Sequence, residues 1–237
     1  MGARHVTYGD PDFFNGVHHA LRVVRAVHAR FPDLTFHCTV KVEHILAHAD
    51  VWAELAASGC LFVVSAFESV NDATLELLDK GHTAADAGKA VELLREHGIE
   101  IRPSWLPFTP WATRDDVRAI LEFVAEHDLI GNVDPVQYTI RLLVPEGSLL
   151  LEYIDDLGPW DAAKLTYPWA SSLDELQLRL AALVEAAADA PIPVVYDALR
   201  RELGLAPLGL TEVAESPRLN EPWFCCTEPT ELQLRAI

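Results

Sequence analysis

The stretch LFVVSAF, residues 61–67, indicates the fold class. Only Ser65 interrupts its apolar residues, and a short continuous apolar run is typical of a parallel strand that is covered on both faces. Helical patterns separate it from similar runs, which lie at 5–9, 34–40, 99–105 and 136–143. The sequence therefore predicts an α/β protein built from repeated strand and helix units.

Sequence signals mark where several of the helices begin. A serine or threonine followed three residues later by an acid is the capping-box pattern, in which each side chain bonds the other residue's backbone. The pattern occurs at Thr83 with Asp86, at Thr113 with Asp116 and at Ser172 with Glu175. We therefore expect a helix to begin at each of these places.

The spacing of the strands predicts the architecture. Strand starts lie roughly 26 to 38 residues apart, close to the ~31 per unit of an eight-unit (β/α) barrel. From Pro145 onward the chain becomes proline-rich and helical. We therefore predict a partial (β/α) TIM-like barrel over residues 1–147 and a helix-rich extension over residues 148–237.

Composition and charge exclude several classes of protein. The formal net charge of -18 would repel a nucleic acid or an anionic membrane surface. No apolar stretch approaches the ~20 residues that span a bilayer, and the N-terminus lacks a signal-peptide pattern, so we expect a cytoplasmic location. The four cysteines include no C-x-x-C pair, which predicts reduced thiols.

Candidate ligand-binding residues follow from the rule that α/β sheets bind ligands at the carboxyl ends of their strands. The polar and turn-forming residues there are Gly9, Asp10, Pro11, Glu68, Arg102, Ser104, Gln137 and Arg141. Asp10 and Pro11 also suit a plain turn, and Glu68 also suits a helix cap. Arg102 is harder to explain without a ligand, because a charge inside an apolar strand needs a partner.

Two further groups of residues are candidates for metal or thiol chemistry. His44 and His48 share a helix face, but no third ligand lies nearby in the sequence, so we predict a solvated pair and no metal site. Cys225 and Cys226 are adjacent thiols in a polar tail. They are candidate catalytic residues as metal ligands, as a vicinal disulfide or as nucleophiles.

Five segments carry a resemblance to a known family: ARHVTYGDPDFFNG, FVVSAFESVNDATLELLDKGHT, GIEIRPSWLPFTPWATRDD, VDPVQYTIRLLVPEGSLLLE and the tail NEPWFCCTEP. In these segments the chain resembles radical S-adenosylmethionine (SAM) enzymes, specifically the group with a CUAEP or CCAEP tail. The likeness spans nearly all 237 residues. Thr227 stands where the tail motif has alanine.

The resemblance implies SAM as cofactor and 5'-deoxyadenosyl radical chemistry on an unknown small molecule or peptide, with electrons from a donor. Gly9, Asp10 and Pro11 match the turn that binds the methionine amino group, and Glu68 matches the acid that reaches the amine or ribose. Arg102 and Ser104 would address the carboxylate and ribose of SAM. Gln137 and Arg141 lie on the strand that contacts its adenosyl part.

One departure from the family concerns the 4Fe-4S cluster, which needs three cysteines usually spaced C-x3-C-x2-C. This sequence contains no such triplet. We therefore expect HVTY to correspond to the second barrel strand, and we expect the chain to be inactive without a cluster module, supplied in one possibility by another chain. The alternative is a non-catalytic subunit that binds a nucleotide or docks on a partner.

Overall fold

The computed structural model describes residues 3–213 and contains a four-stranded parallel sheet. The strands lie side by side in chain order: β1 (His5–Tyr8), β2 (Thr35–Thr39), β3 (Cys60–Glu68) and β4 (Glu100–Trp105). The α/β class and four of the five expected strands are therefore confirmed. Because the strands are parallel, the carboxyl ends of all four strands lie at the same end of the sheet.

Eight α-helices lie in the described residues. They are α1 (Val17–Arg30), α2 (Val42–Ala47), α3 (Trp52–Ala57), α4 (Asp72–Leu77), α5 (Ala84–Glu96), α6 (Arg114–Glu126), α7 (Asp174–Ala186) and α8 (Ile192–Glu202). Short 3-10 helices at 13–16, 49–51, 130–132, 135–139 and 149–152 join them. No helix within residues 3–213 is long and apolar enough to cross a membrane.

The two faces of the sheet differ in burial, contrary to the expectation that both are covered. Along β4 half-buried and buried residues alternate strictly, with Ile101 and Trp105 buried and Arg102 half-buried. Buried residues such as Val63 of β3 join side chains of the surrounding helices in the core. We call this face the covered face and the opposite one the open face.

The expected fifth strand at 136–143 is wrong. Residues 135–139 form a 3-10 helix that begins at Pro135, and a single parallel bridge joins Phe108 to Arg141. Proline presets the first turn of a helix and removes a backbone donor, so this segment leaves the extended conformation.

Side chains replace the fifth strand along the outer edge of β4. The Asn132 side chain donates to the Ile101 carbonyl at 2.8 Å, and Trp105 N donates to the Gln137 side-chain oxygen at 3.0 Å. Between them, Pro103 has no N–H to satisfy at this edge. Two outer backbone groups of β4 therefore have side-chain partners, and β4 is the last strand of the sheet within residues 3–213.

Helix starts test the capping predictions. The boxes at Thr83 and Thr113 are both present, so those predictions are confirmed. The helix expected after Ser172 is present as α7, but the capping box there is wrong, because the helix begins after Leu173 without a side-chain cap. Instead, the Asp174 carboxylate accepts from Ser171 N at 3.1 Å, which satisfies a donor just before the helix.

The region after Pro145 packs against the α/β part through α7 and α8. Two arginines of α6 donate to backbone carbonyls that follow or end α8, Arg114 to Glu202 at 2.6 Å and Arg118 to Leu203 at 2.7 Å. Tyr196 of α8 donates to the Leu121 carbonyl of α6. The expected helix-rich character is present up to residue 213, and the boundary at 147/148 stays a prediction.

Candidate functional site

The candidate site lies where the four strands end. Gly9, Asp10 and Pro11 follow β1 and are exposed. Lys41 follows β2, and Glu68 is the last residue of β3. Adjacent strands are about 4.8 Å apart, so the ends of β1 and β3 are separated by roughly 10 Å. The distance is suitable for one small molecule to contact both.

Glu68 has an unusual backbone conformation. Its φ of 62° is in the left-handed region, which costs a non-glycine residue about 1–2 kcal/mol. The β3–β4 register shifts between Ala66 and Glu68, and the Glu68 carbonyl accepts from Leu106 N at 2.8 Å. This irregularity ends the regular strand, and the Glu68 carboxylate binds Lys80 Nζ at 3.0 Å.

The turn after α4 explains the motif DKGHT, residues 79–83. Gly81 has a φ of +69°, and a Cβ there would lie 2.4 Å from Glu43 Oε2. Glycine is therefore needed both for the backbone conformation and for the approach of the Glu43 carboxylate. His82 is buried, its Nδ1 lies 3.1 Å from the Lys80 carbonyl, and burial lowers its pKa.

Charged groups also connect the ends of β1 and β2. Asp12 Oδ1 accepts from Lys41 N at 3.4 Å, and Asp12 Oδ2 lies 2.8 Å from His44 Nδ1. Glu43 Oε1 lies 3.5 Å from Lys41 Nζ and 3.9 Å from His44 Nε2. Glu43 also lies beside Gly81, the residue after Lys80, so ionisable side chains from three strand ends lie close together. We call Asp12, Lys41, Glu43, His44, Glu68 and Lys80 the rim network.

Four residues of the rim network, Asp12, Lys41, Glu43 and Glu68, lie at strand ends that the strand-end rule selects. Only Glu68 was predicted to bind a ligand. The sequence did not show which charges would meet, because Asp12 and Lys41 are 29 positions apart. His44 and His48 have ring centroids 6.1 Å apart, and the described residues contain no group of three or more possible metal ligands.

Arg102 and Ser104 lie on the open face, as the predicted site requires. They pair with Val64 and Ala66 of β3, and Ser104 is nearer the carboxyl end. The guanidinium of Arg102 lies 6.0 Å from the ring centroid of Phe62. Arg102 therefore lies two residues before Ser104, on the same face of the sheet but farther from the carboxyl ends of the strands.

A row of rings crosses the open face below the rim. The rings of His5, His37 and Phe62 stack with centroid separations of 5.1 and 4.4 Å, and His5 Nε2 lies 2.8 Å from His37 Nδ1. Burial lowers the pKa of His37 to about 4, assisted by the positive charges of His5 and Arg102. At neutral pH this row therefore contributes uncharged rings beside the Arg102 cation.

Gln137 and Arg141 have structural partners of their own. Gln137 completes the edge of β4, as described above. Arg141 donates to Asp174 at 2.6 Å and to the Trp169 carbonyl, and its guanidinium lies 3.5 Å from the Trp169 ring centroid. Both therefore connect the sheet region to the later helices, and the proposed site below does not use them.

The cysteines of the described residues do not form a cluster site. Cys38 and Cys60 are both buried, and the contact with Cys60 together with burial raises the pKa of Cys38. A 4Fe-4S cluster takes thiolate ligands, commonly from four cysteines. Two buried thiols do not fit this group. Cys225 and Cys226 lie outside the described residues.

Part of the chain is similar in sequence to a curated protein. No family model matches the chain. Over 99 residues, or 41% of this chain, the sequence is 28% identical to the bacteriochlorophyllide d C-8(2)-methyltransferase of Chlorobaculum tepidum. The match covers 22% of that protein, so the chain spans about a fifth of the length of the curated relative.

Two solved structures are also similar to part of the chain. The radical SAM methyltransferase TsrM from Kitasatospora setae, with cobalamin and a [4Fe-4S] cluster bound, is 25% identical with a TM-score of 0.42. That match covers 53% of this chain and 26% of TsrM. The cobalamin-dependent radical SAM enzyme OxsB, with aqua-cobalamin and SAM bound, is 16% identical with a TM-score of 0.46, covering 81% of this chain and 25% of OxsB.

Proposed function

We propose that this chain is the SAM-binding part of a radical SAM enzyme, built on a partial (β/α) barrel. The observation that carries the proposal is the open face, because parallel sheets normally have both faces covered. Here the open face carries polar groups and ends at the rim network. The 28% identity with a methyltransferase over 99 residues supports the same assignment. The tail, which resembles the CCAEP motif, would place the chain in the group of radical SAM enzymes with a CUAEP or CCAEP tail.

Six of the eight predicted ligand-binding residues have a role in the proposed site. The exposed turn Gly9-Asp10-Pro11 would bind the amino group of SAM, and Glu68 would accept hydrogen bonds from the amine or the ribose. Lys80 holds the Glu68 carboxylate at 3.0 Å and so positions it. Arg102 would pair with the carboxylate of SAM, and Ser104 would donate to the ribose.

The proposed activity of the chain alone is limited to binding. Cys38 and Cys60 are buried and do not fit a 4Fe-4S cluster, and none of the four cysteines has the C-x3-C-x2-C spacing. We therefore propose that cleavage of SAM needs cluster ligands beyond residues 3–213, an electron donor and a substrate that is a small molecule or a peptide. Cys225 and Cys226 remain proposed catalytic thiols.

A binding measurement tests the proposal directly. Isothermal titration with SAM, S-adenosylhomocysteine and ATP should show one SAM site and no comparable affinity for ATP. Glu68→Gln should weaken SAM binding at least about tenfold, because hydrogen bonds to a charged group contribute about 1.5–3 kcal/mol. The matched control is Glu96→Gln, an exposed glutamate at the end of α5. Absence of SAM binding, or equal losses in both variants, would contradict the proposal.

A reconstitution experiment tests whether the chain alone binds SAM without cleaving it. After anaerobic treatment with iron, sulfide and a reductant, the chain should yield no 5'-deoxyadenosine from SAM. Formation of a stable, near-stoichiometric 4Fe-4S cluster together with SAM cleavage would refute the statement that this chain lacks a complete ligand set.

A second candidate function is a non-catalytic subunit that binds a nucleotide or docks on a partner. The exposed outer edge of β1 favours it, since an open edge is a template for another strand. A SAM titration separates the candidates. A chain that forms a stable complex with a partner and binds ATP and SAM equally well would support the second candidate.

A further inference from the structure

Asp12 carries a buried carboxylate in the loop that follows β1. Its side chain is only 9% exposed, and an ionised group that is removed from water needs a compensating partner. Oδ1 lies 3.4 Å from Lys41 N, which makes a long hydrogen bond. Oδ2 is buried and has no other polar partner within residues 3–213 than the His44 imidazole, whose Nδ1 is 2.8 Å away. The imidazole is therefore the main compensation for the Asp12 charge.

The two nitrogens of His44 have different surroundings. Nδ1 is buried against Asp12, whereas the side chain as a whole is 26% exposed. The exposed part of the ring therefore points away from Asp12 and includes the Nε2 side. Glu43 Oε1 lies 3.9 Å from Nε2, which is too far for a hydrogen bond. Nε2 is therefore the nitrogen that a bound molecule can reach.

The pair lies at the carboxyl ends of the strands, where α/β proteins bind their ligands. Asp12 follows β1, and His44 is in the first turn of α2, shortly after β2. These two strands pair directly with each other, so the contact is internal to the sheet and its loops. A reactive imidazole at this position would face the same end of the sheet as Glu68.

A carboxylate beside one ring nitrogen of a histidine prepares the other nitrogen to accept a proton. The carboxylate favours the neutral ring that has its proton on Nδ1, which leaves the lone pair on Nε2. It also stabilises the imidazolium that forms when Nε2 takes up a proton. A general base needs both effects, because it must present its lone pair in a fixed orientation and then hold a positive charge.

We propose that His44 is a general base for a molecule bound at the strand ends, and that Asp12 orients it. In this step His44 Nε2 forms an N–H bond while a C–H, N–H or O–H bond of the molecule breaks. The electron pair of the broken bond stays on the molecule, and Asp12 remains ionised beside the imidazolium. The molecule is therefore one with an acidic hydrogen. The inference does not depend on SAM binding, because neither residue is assigned to SAM.

A purely structural pair would join the loop after β1 to α2 without transferring a proton. Such a pair accounts for the contact between Asp12 and His44 but predicts no reactivity at Nε2. Two measurements on the full chain separate the roles. One locates the proton on the ring, and the other measures the removal of a proton from a small molecule.

Proton–nitrogen NMR shows which nitrogen of His44 carries the proton, with the signals assigned by their loss in His44→Gln. In the neutral ring the proton should be on Nδ1. Asp12→Ala should move it to Nε2 at least in part, because the carboxylate that holds it is gone. The matched control is Asp33→Ala, at an exposed position before β2, which should leave the His44 signals unchanged. A proton on Nε2 in the unaltered chain, or no change in Asp12→Ala, would overturn the proposal.

The ring opening of 5-nitrobenzisoxazole measures proton removal directly. A base removes the ring C–H proton, the N–O bond breaks, and the cyanophenolate product is followed by its absorbance. At equal concentration the full chain should react at least about tenfold faster than free imidazole. His44→Gln should lower the rate at least about tenfold, and Asp12→Ala at least about threefold, because the base is removed in one variant and misoriented in the other.

The matched control for the rate is His97→Gln, which replaces a half-buried histidine before β4 at the opposite end of the sheet. This variant should keep the rate of the unaltered chain. Circular dichroism checks that each variant is folded, and if Asp12→Ala is not, the rate of His44→Gln and the proton position in the unaltered chain decide. A rate no faster than imidazole, or equal rates in His44→Gln and His97→Gln, would refute the general base.

Discussion

The covered and open faces of the sheet come from the same four strands but have different chemistry. Adjacent residues of β3 illustrate the difference, because Val63 is fully buried and Val64 is half-buried. Residues of the covered face pack in the hydrophobic core. The open face instead carries Arg102 and Ser104, which are half-buried, and His37, which is buried. The covered face therefore supplies most of the packing, and the half-buried polar groups of the open face are those that the proposed function uses.

The first and largest expected effect compares the two faces at neighbouring positions. Val63→Ala leaves a cavity in the core and should reduce the free energy of unfolding by about 2–3 kcal/mol. Val64→Ala removes the same atoms from the open face and should cost less than about 1 kcal/mol. Chemical denaturation measures both. Equal losses would mean that the open face is as tightly packed as the covered one.

A second prediction uses pH to detect the ring row of the open face. The pKa of His37 is lowered from 6.5 to about 4, so the unfolded chain binds this proton more readily than the folded one. The stability from neutral His37 is fully present above pH 6.5 and is lost as the pH falls toward 4. The loss between pH 7 and pH 5 should be about 1–2 kcal/mol.

The pH prediction is tested with His37→Gln, which should flatten the decline of stability between pH 7 and pH 5. The control is His18→Gln, at an exposed position of α1. This variant should show the same decline of stability between pH 7 and pH 5 as the unaltered protein. If His37→Gln keeps the full decline, then His37 is not the group that couples the open face to pH.

The smallest effect concerns the helices that support the covered face. Thr113 caps α6 by accepting from Asp116 N at 3.3 Å, and Thr113→Ala should cost about 1 kcal/mol. Ser172 does not cap α7, so Ser172→Ala should change the free energy of unfolding by less than about 0.5 kcal/mol. Thermal unfolding of both variants checks the difference. Equal effects would show that Ser172 has a capping role.

The covered face and its helices could be predicted largely from local sequence. The strands at 5–9, 34–40, 61–67 and 99–105 were located within about two residues of their observed limits. Capping at Thr83 and Thr113 was also predictable, because the interacting groups are three residues apart. The conformation of segment 136–143 was not predictable, since it depends on the Gln137 side chain, which bonds to the outer edge of β4 in place of a fifth strand.

The predicted site was placed only in part. The strand-end rule selected Glu68, Arg102 and Ser104, which the structure positions at the rim or on the open face. It also selected Gln137 and Arg141. The Gln137 side chain instead accepts from Trp105 N of β4, and Arg141 donates to the Asp174 carboxylate. The type of residue does not reveal whether a polar group near a strand end serves a ligand or the fold.

The sequence by itself determined the class of the fold and the order of its units, because these depend on local periodicity and composition. Only the tertiary structure decided which charges meet at the rim and which face of the sheet stays open. Those features depend on groups such as Asp12 and Lys41, which are far apart in the chain. Their approach follows from the packing of whole elements, for which no local pattern carries a signal.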